Sequence, residues 1–412
     1  MIITTPITRL ITAPGNKRQQ AGLSLVELMV ALALGLVVVA AMTTLFVNVS
    51  RSNQEMAKTN SQIENARFAM QFLGNDIFHA GFWNEYIPDF DDLSLDIDIP
   101  PDHYPRPIPV GNTLATPDSC LAYSAWPSPE DGGHVDQLLA VPLEVHAGVP
   151  GRSCTAALLP DKVADTDLLI VRHAEPCVPG ETNCDDDEAG QLYFQASNCR
   201  HQLEDKDYYV LGTSGFDMYD KDCLDGSPIT GLPTAKRLFI QNIYYIRSWT
   251  NKSDEDPKIP ALVRSEFTFS GGTLSQKTPV ALVPGIERFR VELAFDDISD
   301  SGDPVENTTT VNWADVDNRD SPTNRGDGVP DGGYVHCPSA PAGTCSGAQL
   351  ANTVALRMYI LARADQESPG YKDEKVYTLG GLTVAAQNDG FKRHVFSTSM
   401  RLHSIAGRRE TP

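Results

Sequence analysis

The sequence predicts an α+β protein in which one long N-terminal helix precedes a β-rich domain. Residues 23–49 are almost wholly apolar, and their one charged residue is Glu27. A helical pattern without proline continues as far as Gly81, and beyond Leu138 short segments rich in Val, Ile, Tyr and Phe alternate with Pro, Gly and Asp. One helix followed by many short strands is typical of an α+β fold with a mainly antiparallel sheet.

The apolar run is long enough to cross a membrane. A helix rises about 1.5 Å per residue, so this run would span about 40 Å, whereas the hydrocarbon core is about 30 Å thick. Lys17 and Arg18 precede it, which favours a cytoplasmic N-terminus. An ordinary secretory signal has a shorter apolar region and a cleavage site after it. A plain single-span anchor explains the length but not Glu27, for whose carboxylate the helix itself offers only the Ser24 hydroxyl.

The helical pattern continues beyond the membrane run as an amphipathic stripe. Its apolar residues recur at three- and four-residue steps: Ile63, Ala66, Met70, Leu73 and Ile77, with Phe68 and Phe72 beside them. Gly81 is a typical stop signal. We therefore predict one helix over residues 23–81, with a transmembrane segment at 23–49 and a second half that packs on a sheet.

Nine segments are predicted as strands. They are residues 137–141, 167–173, 191–197, 208–212, 237–249, 262–269, 287–295, 353–363 and 392–402. Apolar residues alternate with period two in 353–363, although a helix is the alternative there. Residues 87–109 are predicted to be a loop, because prolines and aspartates are concentrated in them.

Charge and cysteine usage indicate an exported acidic domain. The formal charge of −21 argues against nucleic acid as a partner, because phosphate contacts need clustered Lys and Arg. All eight cysteines follow residue 119 and form no CxxC pair, which favours disulfides over zinc. The sequence does not choose among the pairings. We expect the sequential one: Cys120–Cys154, Cys177–Cys184, Cys199–Cys223 and Cys337–Cys345.

No enzyme motif is present in the sequence, which has no HExxH, nucleophile elbow or phosphate-binding glycine loop. We therefore expect neither catalytic residues nor a cofactor. The loop 313–333 is an exception, as a candidate calcium site. Its carboxylates supply the oxygen ligands that calcium requires, and its glycines permit tight turns. Its aspartates are Asp315, Asp317, Asp320, Asp327 and Asp331. The spacing is not that of an EF-hand, so ordinary turn chemistry is the alternative to a weak calcium site.

Residues 22–28, GLSLVEL, resemble the processing site of type IV prepilins. The resemblance implies that a prepilin peptidase cuts between Gly22 and Leu23 and N-methylates Leu23. Glu27 then becomes the fifth mature residue and forms an intersubunit salt bridge with the N-terminal amine of a neighbour. Leu23 stands where phenylalanine is commoner. The leader, 1–22, carries three basic residues and no acid, so its removal takes the formal charge from −21 to −24.

Three further segments resemble PilW-type minor pilins. They are residues 62–83 (QIENARFAMQFLGNDIFHAGFW), 354–363 (VALRMYILAR) and 393–402 (RHVFSTSMRL). The resemblance implies a type IV pilin fold, with residues 82–412 as a β-rich globular domain that carries long disulfide-bearing loops. It also implies a non-enzymatic minor pilin that helps to prime pilus assembly, and so twitching motility, and that links the shaft to a tip complex.

The same resemblance implies a location and partners. The chain would first lie in the inner membrane with its globular domain in the periplasm, and later in the extracellular pilus. Expected partners are the prepilin peptidase, inner-membrane lipid before assembly, other minor pilins, the major pilin and a tip adhesin. The type II secretion pseudopilin GspJ is a structural cousin, so a pseudopilin is one alternative. A membrane-anchored periplasmic enzyme or receptor is the other.

Overall fold

The structure is a computed structural model. It describes residues 22, 24–84, 86, 114–127, 133–146, 159, 161–205, 207–251, 258–299, 301–305, 326–337 and 345–409. The predicted loop 87–109 lies outside them. The chain divides into two compact units, Met1–Ala57 and Lys58–Pro412. Helix α1, Leu25–His79, contributes its first half to the first unit and its second half to the second.

In the first unit, α1 is apolar and uncovered. Every side chain from Leu25 to Val49 is exposed, including Leu25 at 74% and Phe46 at 73%. Among the described residues, α1 is the one helix that is long and apolar enough to cross a membrane. So large an apolar surface requires a non-aqueous surrounding or a protein partner.

In the second unit, α1 buries one face. The buried residues are Gln62, Ala66, Ala69, Leu73 and Ile77. The predicted stripe is therefore correct at Ala66, Leu73 and Ile77 but wrong at Ile63 and Phe68, which are 36% and 55% exposed. Gln62 takes a buried position because its Nε2 donates hydrogen bonds to the Ala362 and Lys392 carbonyls. Hydrogen bonding, which periodicity does not reveal, accompanies the burial of Gln62 in place of Ile63.

Three antiparallel sheets complete the second unit. The strands are β1 (Leu143–His146), β2 (Leu168–Ala174), β3 (Tyr193–Ala196), β4 (Tyr209–Gly212), β5 (Arg237–Arg247), β6 (Ala261–Ser270), β7 (Thr273–Gln276), β8 (Val280–Pro284), β9 (Ile286–Phe295), β10 (Thr353–Arg363), β11 (Tyr377–Leu379), β12 (Leu382–Val384) and β13 (Arg393–Arg401). The eight-stranded sheet has the order β1-β2-β5-β3-β4; in addition β6 pairs with β5, and both β7 and β8 pair with β6. The other sheets are β13-β10-β9 and β11-β12. The predicted α+β class with antiparallel sheets is confirmed.

The predicted strand 137–141 is wrong. Residues 137–140 belong to helix α2, His134–Ala140, which begins after Gly133 at φ 64° and has Val141 as its C-cap. A short apolar run does not distinguish a buried strand from one helical turn, and here Leu138 and Leu139 face the core as parts of a helix. Strand β1 starts instead just after Pro142. The other eight predicted segments each contain a strand, whereas β1, β7, β8, β11 and β12 were not predicted because they are short. Among the described residues, the other α-helices are α3 (Arg200–Glu204), α4 (Gly347–Ala351) and α5 (His403–Arg409), and Tyr123–Ala125 form a 3-10 helix.

The main core lies between the second half of α1 and both larger sheets. Ala66, Leu73 and Ile77 of α1 pack with apolar residues of β1, β2, β5, β9 and β10. Trp83, just past the end of α1, belongs to a second cluster. Its ring stacks on Phe239 at 5.8 Å between centroids, and its Nε1 donates a hydrogen bond to the Leu139 carbonyl at 3.0 Å. The end of α1 is thereby fixed against the larger sheet.

Disulfides join neighbouring segments of the second unit. The bonds are Cys177–Cys184, Cys199–Cys223 and Cys337–Cys345, three of the four sequential pairs expected from the sequence. Cys120 is also disulfide-bonded, and its predicted partner Cys154 lies outside the described residues.

Candidate functional site

The N-terminal end of α1 is closed by a reciprocal capping box. The backbone N–H of Ser24 donates to Glu27 Oε2 at 2.9 Å, and the backbone N–H of Glu27 donates to Ser24 Oγ at 3.2 Å. These bonds satisfy two of the donors that a helix start leaves unpaired. Glu27 therefore has a stronger local partner, the Ser24 amide, than the hydroxyl expected from the sequence. The signal was available, because Ser-x-x-Glu before an apolar run is the sequence pattern of a capping box.

The cap leaves the Glu27 carboxylate able to accept a further partner. An ionised carboxylate has about four lone-pair sites on two oxygens, and the Ser24 amide occupies one of them. Glu27 forms no ion pair with another described residue and is exposed, as are its apolar neighbours Leu25 and Leu28. The site is thus a negative charge of fixed position within an exposed apolar surface.

The predicted cleavage site lies outside the helix. Gly22 and Ser24 are exposed and non-helical, and α1 begins at Leu25. Leu23 itself lies outside the described residues. All four groups of the capping box belong to Ser24 and Glu27, so all of them follow the Gly22–Leu23 bond.

The acidic loop shows turn chemistry at its two described aspartates. Asp331 Oδ2 accepts hydrogen bonds from the backbone N–H groups of Asp297 and Ile298, at 2.6 and 2.8 Å. Asp327 Oδ1 accepts from the Val329 N–H at 2.8 Å. The remaining candidates, Asp315, Asp317 and Asp320, lie outside the described residues. The described part of the chain contains no group of three or more His, Cys, Asp or Glu that could hold a metal ion. The calcium site stays a prediction.

A polar cluster that the sequence did not reveal fastens the end of α1 to the sheet. Asp76 Oδ1 contacts His173 Nε2 at 2.9 Å, and its Oδ2 accepts from Asn242 Nδ2 at 3.1 Å and from the Tyr244 hydroxyl at 2.9 Å. Burial by itself would raise the pKa of Asp76, but these hydrogen bonds and the His173 charge hold it below its ordinary value. Every partner of Asp76 lies on β2 or β5. The cluster therefore connects α1 to the larger sheet, which is a structural role rather than that of a reactive centre.

Comparison with known proteins identifies both ends of the chain. Residues 243–404 match the family model described as Type IV Pilus-assembly protein W, and residues 17–43 match the prokaryotic N-terminal methylation motif. A PilW match behind a prepilin-type N-terminus indicates a minor pilin of the PilW type. Its residues 17–43 include the capped start of α1, and its PilW match begins in β5 and ends in α5.

The comparisons with solved structures and with curated proteins add little to these two matches. Among solved structures, the chain is similar to the type IV-like pilin TTHA1219 from Thermus thermophilus, with 12% identity over 64% of this chain and 82% of that one, at a TM-score of 0.26. No curated protein matches the chain. The assignment rests on the two family models. The two matches indicate a structural subunit of type IV pili that is processed as a prepilin, anchored in the membrane by its N-terminal helix and associated with other pilus components.

Proposed function

We propose that this minor pilin helps to prime type IV pilus assembly and links the pilus shaft to a tip complex or adhesin. One observation carries the proposal: a single carboxylate lies at the capped start of an otherwise apolar, uncovered helical segment. Such a segment buries its surface in lipid before assembly and against other subunits afterwards. Its partners would be the major pilin, other minor pilins and a tip adhesin, and its role would be non-enzymatic.

The chain would have three parts. Residues 1–22 are a leader that the prepilin peptidase removes, 23–81 are the long helix with its membrane segment at 23–49, and 82–412 are the rest of the pilin domain. The domain would stand in the periplasm while the subunit is in the inner membrane, and outside the cell in the filament. The match to a pilus-assembly family favours the pilus over type II secretion.

Glu27 would act in docking between subunits. Cleavage after Gly22 would free the α-amine of Leu23, and its later N-methylation would leave it basic, with a reference pKa of about 7.7–8.0 for an α-amine. In the low dielectric of a filament core, an unpaired charge is costly, so the Glu27 carboxylate and the neighbouring subunit's amine stabilise each other. The pair would fix the axial register of the subunit, because the cap fixes the position of the carboxylate.

Two substitutions separate the ion pair from the cap. Glu27→Gln keeps a side-chain oxygen that can accept the Ser24 N–H, as glutamine does in capping boxes, but removes the charge. Glu27→Ala removes both. We expect both variants to be cut after Gly22 and to stay in the membrane, and both to be lost from sheared filaments and from complexes with other minor pilins. The measurement is N-terminal mass spectrometry of the membrane form together with immunoblots of sheared pili.

The matched control is Gly22→Glu, which should leave the leader attached because it alters the cleavage junction and not the docking group. Normal recovery of the Glu27→Gln protein in filaments, with piliation unchanged, would falsify the ion-pair role and leave only a capping role. An uncleaved Glu27→Ala protein would assign Glu27 to processing instead.

A further inference from the structure

A groove of about 860 Å³ opens beside the C-terminal end of α1 in the second unit. Its floor is the face of β5 and β6 that the helix leaves uncovered. Phe72 and other residues of α1 form one wall, and the loop closed by the Cys177–Cys184 disulfide contributes the opposite one. A groove of this size accommodates several side chains, since typical ligand pockets are about 300–1,000 Å³.

The floor of the groove carries partly exposed apolar side chains. Leu238 and Ile240 alternate along β5 on the same face as Asn242 and Tyr244. Asn242 and Tyr244 are covered by α1 through their bonds to Asp76, whereas Leu238 and Ile240 lie beyond it. The apolar surface of the sheet therefore continues past the helix and stays partly exposed.

The rim of the groove is acidic. Glu175, Glu181 and Asp185 line it, and none of the three forms an ion pair or a side-chain hydrogen bond with another described residue. Arg264 is the one Lys or Arg in the lining, and it is already paired with Glu266 and lies 5.1 Å from the centre of the Phe72 ring. His173, the other cation of the lining, is already hydrogen-bonded to Asp76, so the groove keeps a net negative charge from its three rim carboxylates.

We propose that this groove docks a segment of another polypeptide chain that carries Lys or Arg together with apolar side chains. The sign of the rim repels phosphate, nucleic acid and anionic lipid headgroups. The described residues include no group of three carboxylates or similar ligands close enough to hold one metal ion, so the charge is complementary to several separated cations. A basic segment with apolar side chains supplies both the cations for the rim and the surface for Leu238 and Ile240. The inference does not depend on Glu27 or on filament assembly.

The test uses the full chain in detergent and a fluorescein-labelled short peptide of alternating Arg and Leu. A peptide of alternating Glu and Leu is the matched probe, because it has the same apolar content and would bind detergent similarly. We expect anisotropy to show saturable binding of the Arg–Leu peptide and none of the Glu–Leu peptide. Increasing salt should weaken the binding, since the rim is exposed.

Two double variants locate the binding. Glu175→Lys with Glu181→Lys reverses the rim, and Asp222→Lys with Asp225→Lys makes the same change in net charge at exposed acids outside the groove lining. We expect about tenfold or more weakening for the first and less than about twofold for the second, with melting temperatures unchanged. Equal weakening by both variants, or by neither, overturns the proposal in favour of non-specific attraction. Displacement of the peptide by millimolar calcium at constant ionic strength also overturns it, because it would indicate a metal site.

Discussion

His173 lies between two hydrogen-bond acceptors, and this fixes its charge. Its Nε2 faces Asp76 Oδ1 and its Nδ1 faces the Ala174 carbonyl, each at 2.9 Å. Only the protonated imidazole has an N–H for both, since the neutral ring has one donor. Burial by itself lowers the pKa of His173, but the hydrogen bond to Asp76 and its negative charge outweigh burial and raise the pKa above the ordinary value.

The stability of the domain should therefore depend on pH through this pair. The raised pKa of His173 adds stability that is complete below about pH 6.5 and is lost as the pH rises through the folded-state pKa. The lowered pKa of Asp76 adds stability that is present above about pH 4 and is lost below it. Both contributions are present together between about pH 4 and 6.5.

We expect His173→Gln to flatten the decline in unfolding free energy from pH 6 to pH 8, by about 1.4 kcal/mol for each unit by which the pKa is raised. Denaturant unfolding at several pH values measures this. His394→Gln, at an exposed histidine of β13, should keep the wild-type slope. Parallel pH profiles for the wild type and His173→Gln would contradict a charged His173.

At the scale of elements, Arg393 holds three parts of the second unit together. Its guanidinium, 1% exposed, pairs with Asp373 at 2.9 Å, with Asp389 at 2.7 Å and with Glu287 at 2.6 Å. Asp373 and Asp389 lie between β10 and β13, and Glu287 lies in β9, so the arginine connects both outer strands of the three-stranded sheet to the segment between β10 and β13. Burying one cation among three carboxylates is stabilising only while all the partners are present.

Arg393→Met should destabilise the protein by about 3–5 kcal/mol, because Asp373 would remain buried without its cation. Arg393→Lys should recover part of the loss, since a lysine cannot reproduce the planar, forked set of donors. The control is Lys372→Met: Lys372 pairs with Glu374 at 3.0 Å on the surface, and its loss should cost less than about 1 kcal/mol. Thermal and denaturant unfolding compare the three. Similar losses for Arg393→Met and Lys372→Met would show that the buried pairs are not important for stability.

Elements with a long periodic pattern could be predicted from the sequence, whereas elements defined by partners distant in sequence could not. Strand β10 was predicted with its observed bounds because its alternation extends over eleven residues. Helix α2 was mistaken for a strand because four consecutive apolar residues fit either period. At the candidate site, Glu27 was identified from the motif, but its bond to the Ser24 amide was not. The buried bonds of Asp76 and Arg393 join residues 97 and 106 positions apart, to His173 and Glu287 respectively, and no local pattern indicates such a pairing.

At the scale of the molecule, the second half of α1 is part of the core of the compact unit Lys58–Pro412. Ala66, Ala69, Leu73 and Ile77 have no exposed surface, so their removal would uncover the strands packed against them. We expect a chain of residues 58–412 to be soluble and to unfold cooperatively, and a chain of residues 82–412 to be aggregated or non-cooperative. Circular dichroism melting and size-exclusion chromatography check this. Cooperative unfolding of the 82–412 chain would show that the sheets form a domain without the helix.

The position of the Ser24–Glu27 cap has a consequence for maturation. Because the cap lies wholly downstream of the proposed Gly22–Leu23 cut, removing the leader leaves both hydrogen bonds of the cap in place. The precursor already holds the capped start of the helix, and the peptidase would act on the bond that follows the non-helical Gly22. Conversion to a subunit competent for assembly would then create an amine while the cap stays in place. Cleavage would add the amine of Leu23. The Glu27 carboxylate, which would pair with the amine of a neighbouring subunit, is already held by the cap.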